Sequence, residues 1–261
     1  MKRLIGILQF MTRLPIRVDV GFDEEFHKGM VYFPIVGLVL GICYEIVARV
    51  GSLFFEPYVV TILIICSEVI LTGGLHLDGL GDTFDGLYSY RDKDRILEIM
   101  KDSRLGTNGL LAIMLVLMLK AGMIYEIVYE KELFWLIIMP AVARWMQVFA
   151  CYKAKTPREK GMGNLFIGKV TSKMLIISAI LLISVILGTI GIYELFSGDG
   201  YYGYYIAQAS ISILILILFM IGFIKSVYQK IDGITGDILG AICELSELGF
   251  LIIIHFVTQF I

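Results

Sequence analysis

The stretch MLIISAILLISVILGTIGIYELF, residues 174–196, decides the fold class of this chain. It contains a single charged side chain, Glu194, close to its end. A helix that crosses a bilayer needs about 20 mainly apolar residues, so the stretch predicts a transmembrane helix. Similar apolar runs predict six more spans, at residues 31–51, 54–73, 107–128, 133–151, 203–224 and 238–259.

The composition agrees with this reading. Of the 261 residues, 58% are hydrophobic and 18% are charged, and the mean hydropathy is +0.83. Soluble domains are about 45–50% apolar and about 25% charged. We therefore predict an all-α fold, in which residues 1–261 form one polytopic helical bundle in the membrane, with about seven transmembrane helices. The four cysteines lie apart in or beside apolar runs, which predicts neither a disulfide framework nor a zinc site.

The first 28 residues are expected to lie on the membrane rather than cross it. They start with basic residues, and Arg13 interrupts the apolar run too early for a signal peptide. Leu4, Ile7, Leu8 and Met11 share one helical face. This pattern predicts an interfacial amphipathic helix.

Most of the 22 lysines and arginines lie in four segments, which the seven-span arrangement places on one side of the membrane. They are the N-terminal segment and the connections after the second, fourth and sixth spans. The opposite connections, near residues 130–132 and 197–202, carry few positive charges. The positive-inside rule predicts a multi-pass protein of the cell (plasma) membrane, the inner membrane where there are two, with these four segments in the cytoplasm. A net charge of −2 neither requires nor excludes nucleic acid, and no nucleic-acid partner is expected.

Three aspartates follow the second span in GGLHLDGLGDTFDGL, residues 73–87. On a helix, Asp78, Asp82 and Asp85 fall at roughly 0°, 40° and −20°, so their carboxylates share one stripe. Like charges at this spacing repel, and a divalent cation would offset them. Carboxylate oxygens favour Mg²⁺, Mn²⁺ or Ca²⁺ over zinc, and Mg²⁺ commonly binds a few carboxylates together with substrate phosphates. We expect the cofactor to be Mg²⁺, with Mn²⁺ as an alternative.

Other residues between 73 and 106 complete a predicted cytoplasmic catalytic loop. Gly79, Gly81 and Gly86 are expected to leave the backbone open to a bulky ligand. His76 is a candidate base if it lies in a loop that reaches the same site. Positively charged candidates for binding an anionic ligand are Arg91, Arg95, Lys101 and Arg104. Arg104 is the preferred one, because it precedes a glycine-flanked turn that opens the next helix.

A second acidic segment, residues 225–247, includes KIDGITGDILGAICELSE. Asp237 and Glu244 are seven residues apart and share a helical face, and Thr235 precedes the last span. Ionisable residues inside a membrane are functional candidates that need partners. For Arg144, within the fourth span, the expected partner is Glu68 or an anionic ligand.

The residues resemble the cobalamin synthases, the adenosylcobinamide-GDP ribazoletransferases. The resemblance is carried by TGGLHLDGLGDTFDGL (72–87), FMTRLPI (10–16), FPIVGLVLG (33–41), ILEIMKDSRLGTNG (96–109) and DGITGDILGA (232–241). It runs nearly the whole length of the chain, and the HLDGLxDTxDG element is highly specific.

The resemblance implies an enzyme that joins adenosylcobinamide-GDP to α-ribazole, or to its 5′-phosphate, and releases GMP in late cobalamin biosynthesis. It also implies a need for a divalent cation, usually Mg²⁺. A homo-oligomer or an association with other corrinoid-assembly enzymes is a further expectation. The predicted metal ligands are Asp78, Asp82, Asp85, Asp237 and Glu244. The predicted catalytic residues are Asp82, Asp237 and His76, with Asp237 as first choice for the base. The predicted substrate-binding residues are Arg91, Arg95, Lys101, Arg104, Arg144 and Thr235.

Two alternatives remain at this point. A CDP-alcohol phosphotransferase also holds a metal and a pyrophosphate with aspartates on membrane helices, but its DGxxAR motif is missing here. A cation-coupled transporter would place its acids near the bilayer midplane. The densest acids of this chain fall at the cytoplasmic edge, which favours an enzyme.

Overall fold

The structure is a computed structural model that describes residues 2–21 and 23–260. Within these ranges the fold is all-α, as predicted, and one isolated bridge joins Tyr152 to Val170. The helices are α1 (Lys2–Met11), α2 (Phe33–Gly51), α3 (Pro57–Thr72), α4 (Leu75–Leu87), α5 (Lys93–Ile99), α6 (Thr107–Glu130), α7 (Trp135–Cys151), α8 (Ser172–Ser197), α9 (Tyr202–Ile231) and α10 (Gly236–Thr258). Short 3₁₀ turns occupy Phe26–Tyr32 and Met162–Leu165.

Each predicted span coincides with a helix, but two of these helices are short. Five helical segments are long and apolar enough to cross a membrane, namely α2 with its preceding 3₁₀ turn, α6, α8, α9 and α10. α3 has 16 residues, and it passes the same test only together with α4, from which it is bent by 89°. α7 has 17 residues, the lower limit for a span. The chain is therefore a multi-pass membrane protein with five clear spans and two shorter apolar helices.

Two consecutive glycines cause the bend between α3 and α4. Gly73 and Gly74 have φ angles of 65° and 70°, in the left-handed region that glycine adopts without a Cβ penalty. They end α3 and start α4 in a new direction. α4 is therefore not a continuation of the second span, which the sequence predicted to end at residue 73. It turns towards the side of the bundle where the basic segments lie.

Helix α7 is the centre of the bundle, where α2, α8 and α10 pack around it. All its residues except Phe149 are buried. α2 approaches closely through Gly37 and Gly41: a Cβ on Gly41 would lie 2.5 Å from Cα of Ile137, and a Cβ on Gly37 would overlap the α7 backbone at Pro140 and Ala141. Small residues at such positions let membrane helices pack backbone to backbone.

Substituting Gly37 by alanine is expected to separate α2 from α7 and to destabilise the protein by about 1–3 kcal/mol, as overpacking does in a tight core. Unfolding in detergent, followed by circular dichroism, would measure the change. The matched control is Gly122→Ala on α6, because a Cβ on Gly122 meets nothing within 4 Å. Equal stability of the two variants would contradict the close α2–α7 contact.

The four basic segments meet at one end of the bundle. The N-terminal segment contacts the α3–α4 turn, where the Arg13 N–H donates to the carbonyl of Leu71 at 2.6 Å. Phe10 packs edge-on against Phe166 of the α7–α8 loop, with ring centroids 5.5 Å apart. Further ties join the α4–α5 region to the end of α9: Lys93 pairs with Asp232 at 2.8 Å, and the Lys230 ammonium donates to the Leu87 carbonyl at 2.6 Å. This common end agrees with the arrangement inferred from the positive charges.

Candidate active site

Helix α4 crosses the first turn of α10 at a pair of glycines. A Cβ on Gly79 would lie 3.1 Å from Cα of Asp237, and a Cβ on Gly240 would lie 3.2 Å from Cα of Gly79. Only glycine permits two helices to approach so closely. The crossing brings the Asp78 and Asp82 turns of α4 beside Asp237 of α10, although these residues are far apart in sequence.

The glycines of α4 serve helix packing, and only Gly79 also lines a pocket, as the expectation of a backbone open to a ligand requires. Gly79 packs against α10. A Cβ on Gly81 would lie 3.1 Å from side-chain atoms of Leu105 and Ile113. Gly86 is covered by the side chains of Ile96 and Met100. α4 is helical from Leu75 onward, so its aspartates have the helical spacing that the sequence predicted.

The carboxylates of α4 and α10 form an acidic cluster, defined here as Asp78, Asp82, Asp85 and Asp237. Asp82 is its centre, since burial and then the negative charges of Asp78, Asp237 and Asp85 raise the pKa of Asp82 to about 7. Thr235 precedes α10, where its hydroxyl accepts from the Ile238 N–H at 3.3 Å and donates to Oδ2 of Asp237 at 3.2 Å. Thr235 thus orients Asp237.

Both carboxylate oxygens of Asp85 already accept backbone hydrogen bonds, which limits what else Asp85 can bind. Its two carboxylate oxygens accept from the backbone N–H groups of Gly106, at 2.6 Å, and Gly109, at 2.8 Å. These groups are the free donors at the start of α6, where a carboxylate is also favoured by the helix dipole. Arg104 was preferred as a phosphate-binding residue because it precedes the start of α6. Asp85 already occupies two of the N–H donors there, so this reason for preferring Arg104 does not hold.

A pocket opens beside the acidic cluster, and we call it the acidic pocket. Asp78, Asp237 and His76 line one side of it. Apolar side chains of the N-terminal segment and the α7–α8 loop, Phe10, Phe33 and Phe166, line another. The pocket therefore combines hard oxygen donors with apolar walls, as a binding site for a large organic phosphate requires.

His76 lies in α4 and not in a flexible loop. Its ring is 3% exposed, and its Nδ1 lies 3.5 Å from Nη2 of Arg144. A guanidinium has only donors, so this contact assigns Nδ1 as an acceptor and leaves the proton on Nε2. The imidazole is therefore placed better to donate to a ligand than to remove a proton from one.

Arg158, in the α7–α8 loop, is the site residue that sequence reasoning missed. Its Nη1 pairs with Oδ2 of Asp237 at 2.8 Å, and it lines the acidic pocket. In the sequence it is one of several cations in KAKTPREK, residues 153–160. It was used only to predict the orientation of the protein in the membrane. No spacing rule links it to Asp237, since the loop alone brings the two together.

The predicted cations of residues 91–104 lie outside the acidic pocket. Arg91 is exposed. Arg95 pairs with Glu98 at 2.6 Å, and Arg104, which is 87% exposed, pairs with Asp102 at 2.6 Å. Lys101 lines a second, basic pocket together with Arg158 and Lys160. Of these four predicted residues, only Lys101 lies in a cavity that Arg158 also lines.

Glu244 belongs to a different group, a buried ion cluster that joins α3, α6 and α10. Lys120 Nζ lies 2.6 Å from Glu68, 2.8 Å from Glu244 and 2.6 Å from Glu247. Carboxylate oxygens of the three acids lie within 4.8 Å of one another, close enough to hold a metal ion, but the Lys120 ammonium takes that place. Glu244 therefore pairs with Lys120 instead of joining the acidic cluster. It lies apart from the other predicted metal ligands because seven residues along one helical face place it about 10 Å from Asp237.

Arg144 extends this ion cluster towards the pocket. Its Nη1 bonds Glu247. The predicted partner of Arg144, Glu68 or a substrate, was therefore wrong. Lys120 was missed, although a lysine within an apolar span signals a buried partner. The ion cluster thus connects to His76 through Arg144, whereas Arg144 itself does not line the acidic pocket.

Comparisons with known proteins cover almost the whole chain. A family model described as cobalamin-5-phosphate synthase (CobS) matches residues 3–255. A protein of Clostridioides difficile (strain 630), named adenosylcobinamide-GDP ribazoletransferase, is 53% identical over 98% of this chain and 97% of its own length. A protein of Alkaliphilus metalliredigens (strain QYMF) with the same name is 45% identical over 99% and 96%, and one of Clostridium novyi (strain NT) is 38% identical over 97% and 96%. No solved structure matches the chain significantly.

Proposed function

The chain belongs to the cobalamin-5-phosphate synthase family, and on this premise we propose that it joins adenosylcobinamide-GDP to α-ribazole, or to its 5′-phosphate, with release of GMP. The observation that carries the proposal is the acidic pocket, in which α4 and α10 bring Asp78 and Asp237 together beside apolar walls, with Asp82 near enough to both for their charges to raise its pKa. A pyrophosphate with a bulky organic group fits this combination of surfaces.

The acidic cluster has the chemistry of a magnesium site. Its donors are carboxylate oxygens, which Mg²⁺ prefers, and the raised pKa of Asp82 reflects burial and negative charge that the Arg158 guanidinium only partly offsets. Asp78, Asp82 and Asp237 would hold the ion, and Asp85, already bonded to two backbone N–H groups, would support it from behind. Bound Mg²⁺ would supply charge neutralisation at the transferring phosphoryl group.

In the proposed reaction, a ribose hydroxyl of the acceptor attacks the phosphorus that carries the cobinamide aminopropanol group. A new O–P bond forms, and the P–O bond to GMP breaks. Asp237 receives the hydroxyl proton, since it lines the pocket and Thr235 orients its carboxylate. His76, protonated on Nε2, contributes a hydrogen bond to the ligand and is a less suitable base than predicted.

The multi-pass bundle places the pocket at the end where the basic segments meet. We propose that this end faces the cytoplasm and that the membrane is the plasma membrane, in agreement with the positive-inside rule. A homo-oligomer and an association with other corrinoid-assembly enzymes stay predictions.

The test is turnover of adenosylcobinamide-GDP and α-ribazole 5′-phosphate by the purified protein in lipid, with Mg²⁺ or with EDTA. We expect GMP and a cobalamin product in equal amounts with Mg²⁺, and a loss of both with EDTA because the transition-state charge is then not neutralised. Mn²⁺ should restore part of the activity. A rise of the melting temperature with added Mg²⁺ would show metal binding independently of turnover.

Two control assays separate the alternatives. Transfer from a CDP-alcohol to an acceptor alcohol, with release of CMP, tests the CDP-alcohol phosphotransferase, and cation-driven uptake by vesicles without a covalent product tests the transporter. A folded protein that makes no cobalamin product and is active in either assay would overturn the proposed function. Equal turnover with Mg²⁺ and with EDTA would show that the proposed reaction needs no divalent cation.

A further inference from the structure

Arg158 has two hydrogen-bond donors that nothing in the described chain satisfies. While Nη1 holds Asp237, Nε and Nη2 are buried and have no hydrogen-bond partner. Nε–H and Nη2–H form one edge of the guanidinium and point in the same direction. A buried unsatisfied donor is costly, and a charged one more so, so this edge is suited to a ligand that supplies two acceptors.

We propose that Arg158 binds a phosphate group of the substrate through its Nε–Nη2 edge, with Nη1 remaining on Asp237. This inference rests on the proposed function, because the phosphate is that of the pyrophosphate-containing donor. Two parallel N–H donors match two oxygens of a phosphate, which is why arginine serves this recognition better than lysine. The bond to Asp237 fixes the phosphate next to the acidic cluster.

The position of Arg158 supports a phosphate over other anions. It lines both the acidic pocket and the second, basic pocket with Lys101 and Lys160. A ligand that reaches Arg158 therefore meets carboxylates on one side and, on the other, two ammonium groups together with the single carboxylate of Glu159. A pyrophosphate bridged to a metal on one side and to cations on the other fits this distribution of charge.

The α7–α8 loop holds Arg158 in place before any ligand binds. The side-chain amide of Asn164 donates to the carbonyl oxygens of Arg158 at 2.8 Å and of Glu159 at 3.1 Å. Earlier in the loop, the Ile234 N–H donates to the Lys155 carbonyl at 2.9 Å, which ties the loop to the start of α10. The guanidinium is thus preorganised, which lowers the entropy lost on binding.

None of the predicted arginines lines the acidic pocket. Arg95 and Arg104 are exposed and use their donors on neighbouring carboxylates, and Arg144 is buried in the ion cluster. Arg158 is therefore the arginine of the described chain that combines a place in the pocket with free donors.

The experiment measures binding of inorganic pyrophosphate with Mg²⁺ by calorimetry, on the full chain in detergent, alongside turnover. The variants are Arg158→Gln and Arg158→Lys. The matched control is Arg49→Gln, because Arg49 also pairs with a carboxylate, Glu45, but lies at the far end of α2. We expect Arg158→Gln to weaken pyrophosphate binding at least about tenfold, as the loss of a charge-assisted hydrogen bond does. Arg158→Lys should weaken it nearly as much, and Arg49→Gln less than about twofold.

The two variants distinguish binding from a purely structural role. If Arg158 only neutralised Asp237, lysine would preserve the charge and with it the pyrophosphate affinity. Wild-type affinity in a folded Arg158→Lys or Arg158→Gln protein overturns the inference, and a melting curve reports folding for each. A wild type that binds pyrophosphate through Arg158 but makes no cobalamin product supports the inference and removes the proposed function. Product formation by the wild type, together with an unchanged pyrophosphate affinity in the variants, overturns the inference and supports the proposed function.

Discussion

The Asp82→Asn variant is expected to lose at least about 10²-fold in turnover, because metal stabilisation of a transferring phosphoryl group is worth several kcal/mol and each 1.4 kcal/mol is tenfold. In the absence of metal the same substitution should stabilise the protein. Asp82 is the carboxyl at which burial and three neighbouring carboxylates converge, so an amide removes a repulsion. Turnover and melting temperature should therefore change in opposite directions.

The sign of the pH dependence follows from the same carboxyl. The pKa of Asp82 is raised in the folded protein to about 7 from an ordinary value of 3.8. An acid whose pKa is raised on folding stabilises the fold when protonated, and this contribution is lost as the pH rises between these two values. With EDTA, the wild-type melting temperature should fall from pH 5 to pH 8, and the fall should be smaller in Asp82→Asn.

Two results would contradict this account of Asp82. One is a metal-free Asp82→Asn protein that melts at or below the wild-type temperature at pH 8. The other is unchanged turnover in the folded variant. Asp94→Asn is the matched control, because Asp94 is an exposed aspartate in the first turn of α5, away from the acidic cluster. Its substitution should leave both the turnover and the melting temperature nearly unchanged.

The Lys120→Met variant is expected to lose about 3–5 kcal/mol of stability, the usual result of removing one partner from a buried ion pair. Lys120 is fully buried and is the cation that three carboxylates share. Without it, Arg144, which bonds only Glu247 of the three acids, is the remaining cation of the cluster. Unfolding in detergent, or the yield of folded protein in the membrane, would measure the loss.

A compensating variant tests the cause. Adding Glu68→Gln and Glu244→Gln to Lys120→Met removes two of the three charges, and should recover much of the loss because a neutral cluster carries no uncompensated charge. The control Lys225→Met, at an exposed position on α9, should change stability by less than about 0.5 kcal/mol. No recovery in the triple variant would show that packing, and not charge, makes Lys120 necessary.

The sequence was sufficient for the features that depend on local patterns. Apolar runs located each spanning helix, and the i, i+4, i+7 spacing placed Asp78 and Asp82 on one side of α4. The bend at Gly73 was not foreseen, because a glycine pair is compatible with many turns and only the tertiary structure selects one.

The features that were missed depend on contacts between distant segments. Arg158 reaches Asp237 through an irregular loop, for which there is no period to read. Asp85 looked like a free carboxylate, yet it binds the start of α6, since α4 and α6 pack together. The heptad spacing of Asp237 and Glu244 was correctly seen, but seven residues also separate them by about 10 Å along the helix axis, enough to put them in different clusters.

The buried ion cluster also constrains how the bundle is made. Its charges come from α3, α6 and α10, and α10 follows the other two in the chain. During synthesis Lys120 can meet Glu68 once α6 is made, whereas Glu244 and Glu247 arrive only with α10. The arrival of α10 therefore supplies two of the three carboxylates of the ion cluster and, in the same event, delivers Asp237 to α4. Completion of the ion cluster and assembly of the candidate active site therefore both depend on α10.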